Sequence, residues 1–134
     1  MNDYFEKLIE LSQKASEIGE VPVAALIVIN NKIIATSYNS RHDDGNPLNH
    51  AEVKCIIKAS EVLKDWRLNE CDLYVTLEPC DMCKRIIEES RIKKVYYMVP
   101  STKKVCRKTS YQQINSVFNA KYINLLKTFF KNKR

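Results

Sequence analysis

Two short stretches constrain this chain more than anything else in it: His50-Ala51-Glu52 and Pro79-Cys80-Asp81-Met82-Cys83. They lie roughly thirty residues apart. Each stands at the head of a segment with helical patterning, so a fold that uses both must bring two helix starts together. Cys80 and Cys83 are three apart, a spacing at which their sulfurs converge on one point. In a first helical turn, unpaired backbone N–H groups and the helix dipole favour thiolate over thiol. Two thiolates and one imidazole make three zinc ligands, at about 2.3 Å for sulfur and about 2.0–2.1 Å for nitrogen. Three protein ligands leave the fourth tetrahedral position to water, which is the catalytic rather than the structural arrangement. Glu52, two residues beyond His50, sits where a carboxylate can take a proton from that water and pass it to a leaving amine. Either stretch alone is short and common; the pair, in this order, is specific. His42 is a candidate fourth ligand, which would close the site as a structural one.

The rest of the pattern supplies a scaffold for those helix starts. Apolar residues Phe5, Leu8, Ile9, Leu11 and Ala15 make a helical stripe over 3–18, with Gly19 as its C-cap. A β-branched run predicts a strand from Val23 to Ile29. Asn30-Asn31 supplies a tight turn, and 32–39 returns as the second strand of a hairpin. Residues 41–49 read as a loop from their Asp, Asn, Gly and Pro content. A helix follows over 50–66, with Ala51, Cys55, Ala59 and Val62 on one face and Val53, Ile56 and Ile57 beside it. Alternation of Leu73, Val75 and Leu77 with Tyr74 and Thr76 marks a third strand. Pro79 opens a second helix over 80–90, 93–99 forms a fourth strand, and 122–134 an amphipathic helix. Residues 101–118 are polar and ambiguous, with a candidate helix over 111–118. Helix–strand alternation after a hairpin predicts an α/β class: a mixed sheet with helices on its faces.

Composition narrows the function. A chain of 134 residues, 45% apolar and 28% charged, is one soluble globular domain, 1–134, and excludes collagen, disorder and a membrane span. The N-terminus lacks the pattern of a secretory signal, which predicts a cytoplasmic protein. Cys55, Cys71, Cys80, Cys83 and Cys106 are an odd set, pointing to metal binding or burial rather than a disulfide framework. Residues 1–90 hold 10 basic and 16 acidic residues, whereas 91–134 hold 12 basic and none acidic. That asymmetry makes the C-terminal third a candidate surface for a polyanion, with a merely solvated basic face as the alternative.

The pair HAE and PCxxC resembles the signature of the zinc-dependent nucleobase deaminases. Within that superfamily the chain is most similar to the bacterial tRNA adenosine deaminases. The likeness is carried by Glu20-Val21-Pro22-Val23, Tyr38-Asn39, His50-Ala51-Glu52, Trp66-Arg67-Leu68, the run 73–80, Met82-Cys83, Ser90-Arg91-Ile92 and Phe129-Phe130-Lys131-Asn132. The resemblance implies a cytidine-deaminase-like three-layer α/β/α fold with a mixed sheet of four to five strands. It implies one Zn²⁺ per chain on His50, Cys80 and Cys83, with Glu52 as proton shuttle. It makes Asn39, Ala51, Phe129 and Phe130 substrate-binding candidates, tRNA (the anticodon stem-loop) the partner, and a homodimer the assembly. The chain departs from the family at Ala24, at Lys84-Arg85 and over 101–106. The stretch 79–97 also looks like the deoxycytidylate deaminases, which keeps a free nucleotide or base (deoxycytidylate, cytosine or guanine) open as substrate. A zinc-stabilised RNA-binding partner without activity is the non-enzymatic alternative, against which Glu52 argues.

Overall fold

The computed structural model describes residues 2–101, 112–113 and 119–132. They divide into two compact units, Met1–Lys103 and Lys104–Arg134. In the first, the order is α1 (Asn2–Glu17), β1 (Ala24–Ile29), β2 (Lys32–Tyr38), α2 (Arg41–Asp44), α3 (Ala51–Leu63), β3 (Asp72–Leu77), α4 (Asp81–Glu89) and β4 (Lys94–Val99). The second contains α5 (Asn119–Asn132). Among the described residues no helix is long and apolar enough to cross a membrane.

The sheet runs β2-β1-β3-β4. β1 is antiparallel to both neighbours, and β3 and β4 are parallel, so the sheet is mixed as the alternation predicts. The β1–β2 hairpin turns on Asn30 and Asn31, both at positive φ (50° and 64°), the geometry of a two-residue turn that matches strand twist. A parallel pair requires a crossover, and α4 supplies it between β3 and β4.

Central position explains why β1 is apolar throughout. Side chains alternate across a strand. Ala24, Leu26 and Val28 pack with Leu8 and Leu11 of α1 and with Tyr74. Ala25 and Ile27 pack on the other side with Ala51, Cys55, Ile56 and Ala59 of α3, with Leu73 and Val75, and with Ile87 of α4. The first unit is thus a three-layer α/β/α sandwich. On the α1 face, Tyr74 stacks on Tyr96 at 4.7 Å between ring centroids, a contact that ties β3 to β4. On the edge strand β2, the Tyr38 and Thr36 carbonyls accept from Lys54 and Lys58 of α3 at 3.0 and 2.9 Å.

Four details differ from the sequence reading. Residues 41–44 form a single helical turn rather than an open loop, ended by Gly45 in the left-handed region. α3 stops at Leu63, where Lys64 adopts φ 53°, instead of continuing to Trp66. Val62 and Ile57 are more than half exposed; Val62 lines an open cleft between α3 and β2 with Ile33–Thr36 and Lys58, and Leu63 turns inward in its place. Pro79 does not open α4. Cys80, extended at φ −68° and ψ 171°, is the N-cap, so proline lies one residue outside the helix. Most of the candidate helix 111–118 lies outside the described residues, as does Cys106; Gln112 and Gln113 carry no regular structure. The described sheet has four strands.

Candidate metal centre

Two helix starts meet as the paired stretches require. His50 is the N-cap of α3, and its carbonyl accepts the Lys54 N–H at 3.1 Å, the first bond of that helix. Cys80 and Cys83 occupy the N-cap and third position of α4, and the Cys80 carbonyl accepts the Lys84 N–H at 2.9 Å. Cys80 Sγ lies 3.7 Å from His50 Nδ1, and Cys83 Sγ lies 3.4 Å from it. One ligand atom from each of the three residues falls within 4.8 Å of the others, the one such His/Cys/Asp/Glu group among the described residues. Tetrahedral zinc with sulfur at 2.3 Å and nitrogen at 2.0–2.1 Å separates its ligand atoms by roughly 3.5–3.8 Å. The donor set and its spacing therefore fit a tetrahedral divalent ion. His42 is exposed and stands outside the cluster, so it does not supply a fourth ligand here.

Burial sets the electrostatics. Cys83 is fully buried, and desolvation, followed by the Glu52 charge and Cys80, pushes its thiol well above the ordinary range. Loss of hydration opposes the thiolate that the amides of the first turn favour, and a thiolate at this depth needs a cation beside it. Glu52 is 4% exposed. Desolvation raises its carboxyl above the usual value, while hydrogen bonds from its own backbone N–H and from Cys83 pull the other way. A carboxyl raised by burial beside the Cys83 thiol is suited to hold and release a proton.

The α3 start is braced from β2. Asn39 Oδ1 accepts the Ala51 N–H at 2.8 Å, satisfying one of the unpaired amides of the first turn. Ser37 Oγ donates to the Ala51 carbonyl. Ala51 is fully buried within the core on the α3 face of the sheet, and Asn39 is 9% exposed. Glu78 ties the α4 start to the sheet: its N–H donates to the Val99 carbonyl at 2.8 Å, and its carboxylate accepts from Lys84 Nζ at 2.9 Å and the Ser101 N–H at 3.2 Å.

Of the other candidates, Phe129 and Phe130 lie on α5 in the second unit, 54% and 64% exposed, with ring centroids 5.3 Å apart and edge to face. Cys55 and Cys71 are fully buried, and burial pushes the Cys55 thiol up to about 12, which makes it a core residue rather than a reactive one. Sequence reasoning missed the bracing residues Ser37, Lys54, Glu20 and Glu78. Glu20 stands inside the run 20–23 that carries the family likeness, the one signal that marked it.

Comparison with known proteins agrees with the geometry. The tRNA-specific adenosine deaminase of Bacillus subtilis is 44% identical over 94 residues, 70% of this chain; the match spans 58% of that relative's length. A structure from a study of A-to-I editing by tRNA:A34 deaminases at the wobble position of tRNA is 37% identical, covering 75% of this chain and 77% of its own, with a TM-score of 0.73. The guanine deaminase of Bacillus subtilis is 26% identical, covering 95% and 93%, with a TM-score of 0.84. The model of the MafB19-like deaminases matches residues 1–134, and the chain belongs to that family.

Proposed function

We propose that this protein is a zinc-dependent hydrolytic deaminase that converts the wobble adenosine of a tRNA anticodon loop to inosine and ammonia. The observation that carries the reading is a buried carboxyl, Glu52, 4% exposed, at the same helix start as His50 of the converging His50–Cys80–Cys83 donor set. Those three residues would hold the zinc, whose Lewis acidity lowers the pKa of water at the site toward about 7. Glu52 takes the proton of the attacking water and gives it to N1 of adenine as the new C6–O bond forms. The proton of the C6 hydroxyl then moves through Glu52 to N6, the C6–N6 bond breaks, and ammonia leaves. Backbone N–H groups at the α4 start stabilise developing negative charge.

Substrate choice rests on different features. The Asn39 carboxamide oxygen is engaged by Ala51, which leaves its NH₂ to donate to the base beside the α3 start. The acid-free segment 91–134 supplies phosphate contacts, and exposed Phe129 and Phe130 offer rings on which an unpaired loop base can stack. An anticodon loop is already open, so splaying one base from it costs less than in a duplex. The assembly is a cytoplasmic homodimer of one deaminase domain per chain; sedimentation of the purified protein as a monomer would remove that part.

The likeness to guanine deaminase over nearly the whole chain favours a second reading, deamination of a free purine base by the same centre. One assay separates them. Purified protein is incubated with anticodon stem-loop RNA carrying adenosine at the wobble position, and separately with guanine. Inosine in the RNA, with an affinity that falls steeply with salt, is the result expected. Turnover of guanine alone would replace the RNA reading with the second one.

A further inference from the structure

We propose that Glu20 is a positioning residue for the substrate-facing wall of this site, acting through segment 39–49; the proposal rests on the deaminase reading. Glu20 precedes β1 and plays no part in the chemistry above, yet it is 5% exposed. A carboxylate is seldom buried so fully without partners. Its partners are backbone amides: Oε1 accepts the N–H of His42 at 2.6 Å and of Asp43 at 2.8 Å. Both belong to α2, whose own N-cap residue does not serve them. The Ser40 hydroxyl is engaged elsewhere, donating to Asp44 Oδ2 and accepting from Lys54 Nζ, both at 2.6 Å. A side chain from 22 residues upstream therefore satisfies the amides that Ser40 leaves open.

The segment so held links two parts of the site. It begins at Asn39, whose N–H donates to the Val23 carbonyl and whose side chain holds Ala51. It ends at Asn49, adjacent to His50, and closes on itself through Ser40 N–H to the Asn49 carbonyl and Asn49 Nδ2 to Asp44 Oδ2. Asn39 and His50 are each anchored at a secondary-structure end. The stretch between them is anchored by Glu20, in the connection between α1 and β1, and by Lys54 of α3. Removing Glu20 orphans two amides and frees the middle of this wall, while the metal donors stay fixed by α3 and α4.

The test compares the full-length protein with Glu20→Ala and Glu20→Gln, using anticodon stem-loop RNA, or guanine if that proves to be the substrate. A glutamine oxygen can accept the same two N–H groups; alanine cannot. In Glu20→Ala, KM should rise about tenfold or more with kcat within about threefold of wild type, the pattern of lost binding rather than lost chemistry. Bound metal per chain should be unchanged. Glu20→Gln should recover most of the KM. Amide hydrogen exchange, which needs no substrate, should show His42 and Asp43 protected in wild type and Glu20→Gln but fast in Glu20→Ala. An unchanged KM in Glu20→Ala, a kcat loss with metal loss, or a Glu20→Gln variant as impaired as Glu20→Ala would overturn the proposal. Where Glu20→Ala fails to fold, fast exchange at His42 and Asp43 in the wild type overturns it and protection there, kept in Glu20→Gln, supports it. An inactive wild type would sink the deaminase reading instead, leaving the exchange result to judge the role of Glu20.

Discussion

The two helix starts that form the candidate metal centre are built differently. The α3 start is buried: Ala51 is held from both sides of its peptide by Asn39 and Ser37, and Glu52 lies beneath the surface beside it. The α4 start is half open: Cys80 is exposed, Cys83 is buried, and the turn is clipped by an ion pair between Glu78 and the partly exposed Lys84. A buried, braced start can fix a carboxyl whose affinity for protons is raised by desolvation. An open start can present a metal to a large substrate. The α3 start thus holds a buried carboxyl, and the α4 start carries one exposed and one buried sulfur.

Substitutions on each side test that division. The largest effect is expected from Cys83→Ala, which should lose both metal and activity and lower Tm, because metal binding is coupled to folding; full zinc occupancy in that variant would remove Cys83 from the ligand set. Next is Glu52→Ala. Loss of a positioned proton shuttle should lower kcat by about 10²–10⁴-fold while metal content stays at the wild-type level, read by single-turnover kinetics and metal analysis. Activity within tenfold of wild type would assign the shuttle elsewhere. Asn39→Ala should come third: it removes the side-chain partner of an α3 amide, costing about 1 kcal/mol of stability by denaturant unfolding, and raises KM. The smallest effect should follow Lys84→Ala. Its pair with Glu78 is solvent-exposed and screened, so unfolding and metal content should stay near wild type, in contrast to Asn39→Ala. Equal losses from these two would erase the distinction between the helix starts.

The convergence of His50, Cys80 and Cys83 was legible in the sequence, because an HxE and a CxxC at helix starts announce converging donors. The mixed sheet was legible from the hairpin and the later alternation. What escaped was set by contacts between distant segments. The turn at 41–44 has its His42 and Asp43 N–H groups accepted by Glu20 from 22 and 23 residues upstream, and nothing local to Arg41–Asp44 announces that partner. The depth of Cys83 in the core is invisible to spacing, and that burial pushes its thiol up. Val62 continued the periodic stripe of α3, but the helix ends one residue later and the core takes Leu63 instead.

The most direct test of the central claim, that His50, Cys80 and Cys83 hold a divalent ion next to Glu52, is a chelation-and-rescue experiment. Purified protein is stripped with a strong chelator, assayed on anticodon stem-loop RNA and on guanine, and titrated with Zn²⁺. Turnover should vanish on stripping and return as zinc approaches one equivalent per chain, with no recovery in Cys83→Ala. Undiminished turnover by the stripped, metal-free protein would contradict the account.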